Sequence, residues 1–394
     1  MQNFVQFTPT EILFGKDTHF STGETVKKWE GHKVFLVYGG NSARESGLLD
    51  EIEKSLEKEN IAYHEFGGVR PNPRLAYAQK GVKEALDFQA DMILAVGGGS
   101  VIDTAKAIAI GVKNKDVDLW DIWMKKVTVT EALPTGCVLT IPAAGSEMSD
   151  SAVLTNEETG KKAGLSTPLN RLRFAIMNPE LCFTLPDYQL HCGIVDIMMH
   201  TLERYFIPGE KCDITDEIAE GLLRTVIKNA KILLENKKDY RAMSELMWCG
   251  SLSHNGLTGL GREKDFSVHK LGHAIGAKYD VAHGATLSAV WKAWAYYVYE
   301  NDIDRFCHYG KSVWNIPGED KLQVAKEAIE TTVRFFKELN MPVCLEDLKL
   351  GEISEEDLKA LAMDATMGGT AVLCKVKELR VDDVYQIFTR AGRR

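Results

Sequence analysis

The stretch "DMILAVGGGSVIDTAKAIA" (residues 91–109) combines a short apolar run, three consecutive glycines and a run with helical spacing. An apolar run that does not alternate is typical of a strand buried on both faces of a parallel sheet. Gly97, Gly98 and Gly99 let the backbone approach a pyrophosphate without a Cβ clash. The free N–H groups at the start of the following helix favour a negative ligand. The stretch therefore predicts a strand–loop–helix unit that binds the phosphates of a nucleotide.

The motif leaves one purely structural alternative. It is neither the G-x-G-x-x-G fingerprint nor a Walker A loop. Ser100 could serve as the N-cap of the helix and Asp103 could complete a capping box, in which case the stretch is only a tight turn. As a functional residue, Asp103 is instead a candidate catalytic and cofactor-binding group.

Strand-like and helix-like segments alternate on both sides of this motif as far as about residue 185. This alternation predicts an α/β, Rossmann-like domain with a parallel sheet over residues 1–185. Beyond it, segments such as "TDEIAEGLLRTVIKNAKILLEN" show only three-to-four spacing, so residues 186–394 are predicted to form an all-helical domain.

Two other loops follow predicted strands. The loop after "KVFLVY" contains Gly39, Gly40, Asn41 and Ser42, with Arg44 close behind and no acid at the strand end. An acid there usually holds the ribose 2′-hydroxyl of NAD(H), so small polar residues and a cation favour NADP(H) over NAD(H). The alternative is that Arg44 is only a solvated helix residue.

The loop in "LTIPAAGSEMSD" (139–150) ends another predicted strand and carries Thr140 and Ser149. Ligands of open α/β sheets bind outside the carboxyl ends of the strands. Both hydroxyls are therefore candidates for the same crevice.

The helical half contains a group of metal-ligand side chains. In "GIVDIMMHTLE" (193–203), Asp196 and His200 are four residues apart and share one helical face. In "HKLGHAIGAKYDVAH" (269–283), His269, His273 and His283 lie within fifteen residues. Nitrogen and oxygen donors without thiolate suit Fe(II) or Zn(II), and also Mn(II) or Co(II). A single buried histidine is usually a core residue, but five such residues in neighbouring helices indicate a metal site.

Composition limits the remaining classes of function. The 394-residue chain has a formal net charge of −9, which argues against nucleic acid or an anionic membrane as partner. No apolar run approaches the ~20 residues of a membrane helix, and the N-terminus lacks the pattern of a signal peptide. Eight scattered cysteines without a CxxC pair suggest free thiols in a reducing cytoplasm.

With its glycine loops and its group of Asp and His residues, the chain resembles the iron-containing (type III) alcohol dehydrogenases. The resemblance is to the butanol dehydrogenase-like, NADPH-dependent aldehyde reductase branch in particular. The matching stretches run in order along nearly the whole chain: "VYGGNSARESGLLDEI", "DMILAVGGGSVIDTAKAIA", "LTIPAAGSEMS", "NPELCFTLP", "GIVDIMMHTLERYF" and "NGLTGLGREKDFSVHKLGHAIGAKYDVAHGATLSAVWKAW". The resemblance implies an active site in the cleft between a nucleotide-binding domain and a helical domain.

The resemblance also assigns residues. It implies Asp196, His200, His269 and His283 as metal ligands and His273 as a further active-site histidine, a candidate proton donor or a support for the ligands. The implied cofactor-binding positions are Gly39, Gly40, Ser42, Gly97, Gly98, Gly99, Ser100, Asp103, Thr140, Ser149, Lys162, Leu181 and Thr184. A homodimer is implied as well, and cyclic dimers are the commonest assembly.

Three positions depart from the branch pattern, which commonly has Gly at Asn41, Thr at Ala144 and Asn at Ser149. Asn41 bears on the choice between NADP(H) and NAD(H). Ala144 removes a hydroxyl near the phosphates, and losing a neutral hydrogen bond typically costs ~0.5–1.5 kcal/mol, so weaker cofactor binding is expected.

The function implied is hydride transfer between NAD(P)H and a primary alcohol or aldehyde such as butanol or butanal. Alternatives are a polyol (glycerol- or diol-type) dehydrogenase on the same fold, a metallohydrolase without a dinucleotide, and a non-catalytic sensor of metal or nucleotide. The glycine loop argues against the hydrolase.

Overall fold

The structure, a computed structural model, describes residues 1–143, 145–209 and 211–392. The chain forms two compact units. The sheet unit comprises Phe7–Leu185 and Lys237–Ser251, and the helical unit comprises Met1–Gln6, Pro186–Asn236 and Leu252–Arg394. A parallel-sheet α/β unit and a helical unit are the fold predicted from the sequence, which is thereby confirmed.

The sheet unit is built on eight strands. They are β1 (Glu11–Phe14), β2 (Lys33–Tyr38), β3 (Ala62–Phe66), β4 (Met92–Gly97), β5 (Thr135–Leu139), β6 (Ser151–Asn156), β7 (Lys161–Ser166) and β8 (Phe174–Met177). Six of them form one sheet in the order β1-β8-β5-β4-β2-β3, with every pair parallel. The other two, β6 and β7, form an antiparallel hairpin.

Helices connect these strands. They are α1 (Thr22–Lys28), α2 (Ser42–Glu45), α3 (Leu48–Lys58), α4 (Leu75–Phe88), α5 (Gly99–Lys113) and α6 (Leu119–Trp123). One core lies between the sheet and α3, where Leu49, Ile52 and Leu56 are fully buried against Leu94 and Val138. Burial on both sides explains why the central strands are uniformly apolar rather than alternating.

The strand order reverses between β2 and β4. The strand that follows β2 in the chain, β3, lies on one side of β2, whereas β5, which follows β4, lies on the other side of β4. Tyr38 of β2 pairs with Val96 of β4, so the glycine loops that start at Gly39 and Gly97 leave the sheet side by side. Such a switch point, outside the carboxyl ends of the strands, is where open α/β sheets bind ligands.

The other helices begin after the last strand. They are α7 (Asp187–Tyr205), α8 (Asp213–Glu235), α9 (Tyr240–His254), α10 (Ser267–Tyr279), α11 (His283–Val298), α12 (Ile303–Trp314), α13 (Lys321–Glu338), α14 (Glu355–Ala365) and α15 (Val381–Ala391). Large aromatic side chains fill the core of the helical unit, among them Phe206, Trp291, Trp294 and Phe306, each at most 1% exposed. Within the described residues, no helix is long and apolar enough to cross a membrane.

The two units do not follow the simple division at residue 185 that the sequence suggests. Residues 1–6 group with the helical unit, where Gln2 N donates to Gly261 O at 2.9 Å. Residues 237–251 group with the sheet unit, where Trp248 packs edge-on against Phe14 at 6.2 Å between ring centroids. Sequence periodicity reports the type of an element and not the side chains it packs against, so these exchanges were not predicted.

Candidate active site

Helix α7 supplies the first of the side chains that were predicted to bind a metal. Its residues from 193 to 205 are all buried, which explains the apolar character of the segment around its polar groups. Asp196, His200 and Glu203 occupy positions i, i+4 and i+7, so they lie on one face of the helix. They are 6%, 4% and 2% exposed, and polar groups buried to this extent need partners.

Helices α10 and α11 supply the other ligand-type side chains. His269 lies in the first turn of α10, and His283 is the first residue of α11. A Cβ on Gly284 would overlap the backbone of Cys192 in α7, so only glycine allows α11 to start this close to α7. The "HG" pair at 283–284 therefore brings His283 towards Asp196.

The four predicted ligands converge on a small volume. Asp196 Oδ1 lies 3.4 Å from His200 Nε2, 3.5 Å from His269 Nε2 and 3.8 Å from His283 Nε2. His200 Nε2 and His269 Nε2 are 3.2 Å apart. An ion with four ligands at ~2.0–2.2 Å in tetrahedral geometry separates the ligand atoms by about 3.3–3.6 Å. The four measured distances, from 3.2 to 3.8 Å, lie close to that range.

The chemistry of the donors also fits a cation. Asp196 Oδ1 is buried and accepts no hydrogen bond from any described residue, although three imidazole nitrogens face it. A buried carboxylate oxygen is normally paired or coordinates a metal. The ligand atoms of Asp196, His200 and His269 all lie within 4.8 Å of one another. The residues therefore suit a divalent metal, and nitrogen and oxygen donors are compatible with both iron and zinc.

Glu203, which was not among the predicted site residues, orients one ligand. Its carboxylate bonds to His269 Nδ1 and also accepts the His269 backbone N–H at 3.1 Å. A carboxylate on one imidazole nitrogen fixes the ring so that the other nitrogen faces the metal. Burial lowers the pKa of His269, but the charge and hydrogen bond of Glu203, together with the nearby Asp196 carboxylate, outweigh burial and raise the pKa to about 9. Burial also lowers the pKa of His200 well below its ordinary value, helped by the nearby charges of His254 and His269.

Two further histidines surround the cluster. The His273 ring lies 5.1 Å from that of His283 and 6.1 Å from that of His269, between ring centroids. His254, at the end of α9, stacks on His200 at 3.9 Å with an interplanar angle of 29°. His273 was predicted to be near the metal, whereas His254 was not assigned. A lone histidine at the end of a helix carries no local signal of such a contact.

An aromatic side chain packs beside these rings. Phe266 meets His200 and His269 edge-on, with centroid distances of 6.1 and 5.7 Å, and its face is covered by the guanidinium of Arg204. Arg204 was not among the predicted site residues. The apolar ring limits access of water to the histidines it touches.

The phosphate-binding loop of the sheet unit starts at the end of β4. Gly97 has φ of +159°, and a Cβ there would collide with Val101, so the turn requires glycine. Helix α5 starts at Gly99, and no side chain caps it. Thr140 N donates to Gly97 O at 3.2 Å, which joins the loop after β5 to the glycine turn. Three of the predicted cofactor loops, starting at Gly39, Gly97 and Thr140, thus lie at the same edge of the sheet.

The capping-box alternative for Ser100 and Asp103 is wrong. The N-cap of α5 is Gly98, and the Asp103 carboxylate accepts hydrogen bonds from Ser146 Oγ at 2.6 Å and Val153 N at 2.9 Å. Burial raises the pKa of Asp103. Because both carboxylate oxygens are engaged with the loop and hairpin after β5, these contacts favour a structural role for Asp103 over the predicted catalytic one.

Lys106 completes this polar network and was not predicted. The side chain is 2% exposed, and its ammonium donates to Ser146 O at 2.7 Å and Ser151 O at 2.8 Å, with weaker contacts to Ser149. Burial lowers the pKa of Lys106, while the charges of Asp103 and Glu147 oppose the shift. One helical turn of α5 therefore fixes the loop at 146–151.

The other predicted cofactor residues occupy different environments. Ser149 is 1% exposed, and its hydroxyl donates to Ser151 O at 3.2 Å, so it bonds internally. Lys162 donates to Asn72 Oδ1 at 3.1 Å. Leu181 packs against the sheet core and Thr184 is exposed. Ala144 lies outside the described residues.

The loop after β2 differs from the expectation for a 2′-phosphate site. Asn41 precedes the short helix α2, which starts at Ser42. The Arg44 guanidinium, proposed for the phosphate, pairs with three carboxylates: Asp50 at 2.8 Å, Glu53 at 2.9 Å and Glu65. Glu65 belongs to β3, the strand beside β2, so an acid reaches this region from a neighbouring strand although the end of β2 has none.

Comparison with known proteins finds the same family for both parts of the chain. Residues 9–179 match the model of the iron-containing alcohol dehydrogenase family, and residues 191–392 match its C-terminal counterpart, the Fe-containing alcohol dehydrogenase family, C-terminal. The chain is 37% identical to NADH-dependent butanol dehydrogenase A of Clostridium acetobutylicum, over 99% of this chain and 100% of that protein. It is 34% identical to the NADPH-dependent aldehyde reductase YqhD of Escherichia coli, with the same coverage.

A solved structure gives the same result. The crystal structure of NADH-dependent butanol dehydrogenase A from Thermotoga maritima superimposes with a TM-score of 0.95 at 36% identity, covering 100% of this chain and 99% of that one. The two family models together cover most of the sequence, and the resemblance inferred from the motifs is confirmed. The chain belongs to the iron-containing alcohol dehydrogenase family.

Proposed function

We propose that the protein reduces primary aldehydes such as butanal, and oxidises the corresponding alcohols, with NAD(P)(H) as hydride carrier. As a member of its family, it is a metal-dependent alcohol dehydrogenase or aldehyde reductase, in agreement with the function predicted from the sequence. The observation that carries the proposal is the convergence of three imidazole nitrogens on one buried carboxylate oxygen, at 3.4, 3.5 and 3.8 Å from Asp196 Oδ1.

Particular residues support the proposed chemistry. When bound, a divalent metal supplies Lewis acidity towards a carbonyl oxygen, and the nicotinamide supplies the hydride. Asp196, His200, His269 and His283 would hold the metal, and Glu203 holds His269 in the orientation that presents Nε2. The specific metal, Fe(II) or Zn(II), is part of the proposal, because the donor set suits both.

His273 is the proposed proton donor to the product oxygen, acting directly or through water. Its ring lies beside His283 and stays partly exposed, whereas His200 and His269 are buried. A histidine in this position can pass a proton towards the site without being a ligand. Support of the ligand rings is its alternative role.

The preference between the two dinucleotides is the finer part of the proposal. NADP(H) was favoured because Arg44 follows the β2 loop without an acid at the strand end. The ion pairs of Arg44 with three carboxylates instead favour NAD(H). The names of the relatives do not decide, since the Clostridium butanol dehydrogenase is NADH-dependent and YqhD is NADPH-dependent.

Assembly and location are also proposals. Strand β1 is an edge of the parallel sheet; its last residue, Phe14, is 38% exposed, and Phe20 in the turn that follows is 53% exposed. An exposed edge with apolar side chains supports a homodimer, since such edges are usually covered. All eight cysteines are free and seven of them are buried, which supports a reducing cytoplasmic location. Small alcohols and aldehydes are the proposed partners, and neither nucleic acid nor membrane is expected.

The test follows the absorbance of the reduced nicotinamide in purified protein with butanal. NADH and NADPH are each supplied before and after chelation and after return of Fe(II) or Zn(II). Chelator-sensitive oxidation that one metal restores is the expected result. Faster turnover of glycerol or a diol than of butanal and butanol would favour the polyol alternative. Absence of oxidation with every substrate, in protein that still binds cofactor, would overturn the proposal.

A further inference from the structure

The position of the adenosine ribose follows from the strand order. The reversal between β2 and β4 places the pyrophosphate at the loops that begin at Gly39 and Gly97. In sites of this kind, the loop after the strand next to the phosphate-binding strand holds the ribose hydroxyls. Here that strand is β2, so Asn41 and α2 lie at the ribose end.

Four charged side chains lie at this end and are called the Arg44 cluster: Arg44, Asp50, Glu53 and Glu65. Arg44 Nη1 is 2.8 Å from Asp50 Oδ1, Nη2 is 2.9 Å from Glu53 Oε1, and Nη2 also contacts Glu65. Tyr38 OH donates to Glu65 Oε2 at 2.9 Å and holds that carboxylate beside the end of β2. One guanidinium therefore faces three carboxylates, and the cluster has a net negative charge.

We propose that the Arg44 cluster makes NAD(H) the preferred cofactor by excluding the 2′-phosphate of NADP(H). This inference rests on the proposed function and reverses the preference that the sequence suggested. A phosphate monoester carries roughly −1.5 to −2 charges at neutral pH. To reach Arg44, the phosphate must displace carboxylates that are already paired with the guanidinium. Otherwise it remains close to these carboxylates, which repel it because they carry the same sign of charge.

A ribose 2′-hydroxyl has the opposite requirement. It needs an acceptor, which an acid usually provides in NAD(H) sites. Glu65 supplies a carboxylate from β3, although the β2 loop itself has none. The sequence could not indicate this, because residues 44 and 65 meet only through the parallel pairing of β2 with β3.

The experiment measures binding rather than turnover. Calorimetry on the full-length protein compares ADP-ribose with 2′-phospho-ADP-ribose, which differ only in the 2′-phosphate. The wild type should bind ADP-ribose at least about 10-fold more tightly, and added salt should narrow the gap because the cluster is partly exposed. Glu65→Gln should weaken the binding of ADP-ribose and strengthen the binding of 2′-phospho-ADP-ribose. The ratio of the two affinities should therefore fall about 10-fold or more.

Matched variants separate the cluster from general effects. Asp50→Asn removes a charge that is largely exposed and should shift the ratio in the same direction by a smaller factor. Glu57→Gln lies on the same helix as Asp50 and Glu53, but Glu57 accepts from Tyr63 OH and not from Arg44, so the ratio should not change. Thermal melting of each variant checks its folding.

The outcomes are distinct. Tighter binding of 2′-phospho-ADP-ribose by the wild type, or a ratio that neither Glu65→Gln nor Asp50→Asn alters, would overturn the inference and leave the proposed function intact. Failure of the wild type to bind either ligand would instead overturn the dinucleotide half of the proposed function.

Discussion

His200 and His269 place their Nε2 atoms 3.2 Å apart, although 69 residues separate them in the sequence. Both nitrogens also face the buried Asp196 Oδ1, an arrangement that suits a divalent metal ion. Removal of one ligand should therefore release the metal without affecting the other unit. His269→Ala and His283→Ala should each lose metal and aldehyde reduction while binding ADP-ribose within about two-fold of wild type.

Plasma emission spectroscopy of the purified variants, with calorimetry for ADP-ribose, checks this expectation. His308→Ala is the matched control, since His308 is 53% exposed and pairs with Glu220 away from the cluster. Full turnover by a metal-free variant would contradict the assignment of the ligands.

Glu203 should set the affinity for the metal. Its carboxylate holds His269 Nδ1, and loss of such a partner typically costs about 10- to 100-fold in metal affinity or activity. Glu203→Gln keeps the size of the side chain but removes the charge, so weaker metal binding is expected with an unchanged ligand set. Competition with a chromophoric chelator measures the affinity. Asp187→Asn, at the exposed start of the same helix, should leave it unchanged.

His254 should act through its ring rather than its nitrogens. It stacks on His200, and ring pairs of this kind are worth about 0.5–1.5 kcal/mol. His254→Phe should keep metal affinity close to wild type, whereas His254→Ala should lower it up to about 10-fold because the His200 ring gains freedom. Equal losses in both variants would point to a role for the imidazole nitrogens. The chelator competition gives both values.

Stability at alkaline pH should depend on Tyr309, which is fully buried and bonds to Thr332 at 2.8 Å. Burial raises the pKa of Tyr309 from 10.0 to about 12, against the opposing effect of the Thr332 hydrogen bond. The unfolded chain therefore releases this proton at lower pH than the folded protein, so stability falls as pH rises from about 10 to about 12. Below about pH 10 both states hold the proton and the penalty is absent.

Urea unfolding at about pH 9 and about pH 11 measures the effect. Between these values, the free energy of unfolding of Tyr309→Phe should fall by about 1.3 kcal/mol less than that of the wild type. The same decline in both proteins would mean that Tyr309 does not contribute to alkaline unfolding.

The parts of the site that the sequence predicted are those with local signals. Asp196 and His200 are one turn apart in a helix, and Gly97 is required by a turn inside a short motif. The partners that were missed come from distant parts of the chain. Glu203 was visible on the face of Asp196, but its role depends on His269, 66 residues away.

The error at Asp103 has the same origin. Its position three residues after Ser100 is typical of a capping box, yet Ser146, 43 residues further on, engages the carboxylate instead. Arg44 was read as a free cation because Glu65 reaches it only once β2 and β3 pair. Local patterns thus predicted the helices, the strands and the types of ligand side chain. The contacts of Asp103 and Arg44 depend instead on residues that only the tertiary structure brings together.

Lys106 should matter for both stability and cofactor binding, because its ammonium is buried and fixes the loop at 146–151. Lys106→Met preserves most of the side-chain volume but leaves Asp103 and Glu147 without the buried positive charge between them. Breaking a buried charge network by removal of one partner costs on the order of 3–5 kcal/mol, which urea unfolding would detect.

The kinetic constants of Lys106→Met should show whether Lys106 positions the loop or takes part in the reaction. The loop at 146–151 continues the strand end at Thr140, which bonds to the glycine turn at Gly97. A loosened loop should raise KM for the dinucleotide more than it lowers kcat, because the hydrogen bonds of Lys106 go to Ser146, Ser149 and Ser151 of that loop. Lys113→Met, at the exposed end of the same helix, should change neither stability nor KM. A variant that lost kcat alone, with KM and stability unchanged, would show that Lys106 acts on the reaction and not on the loop.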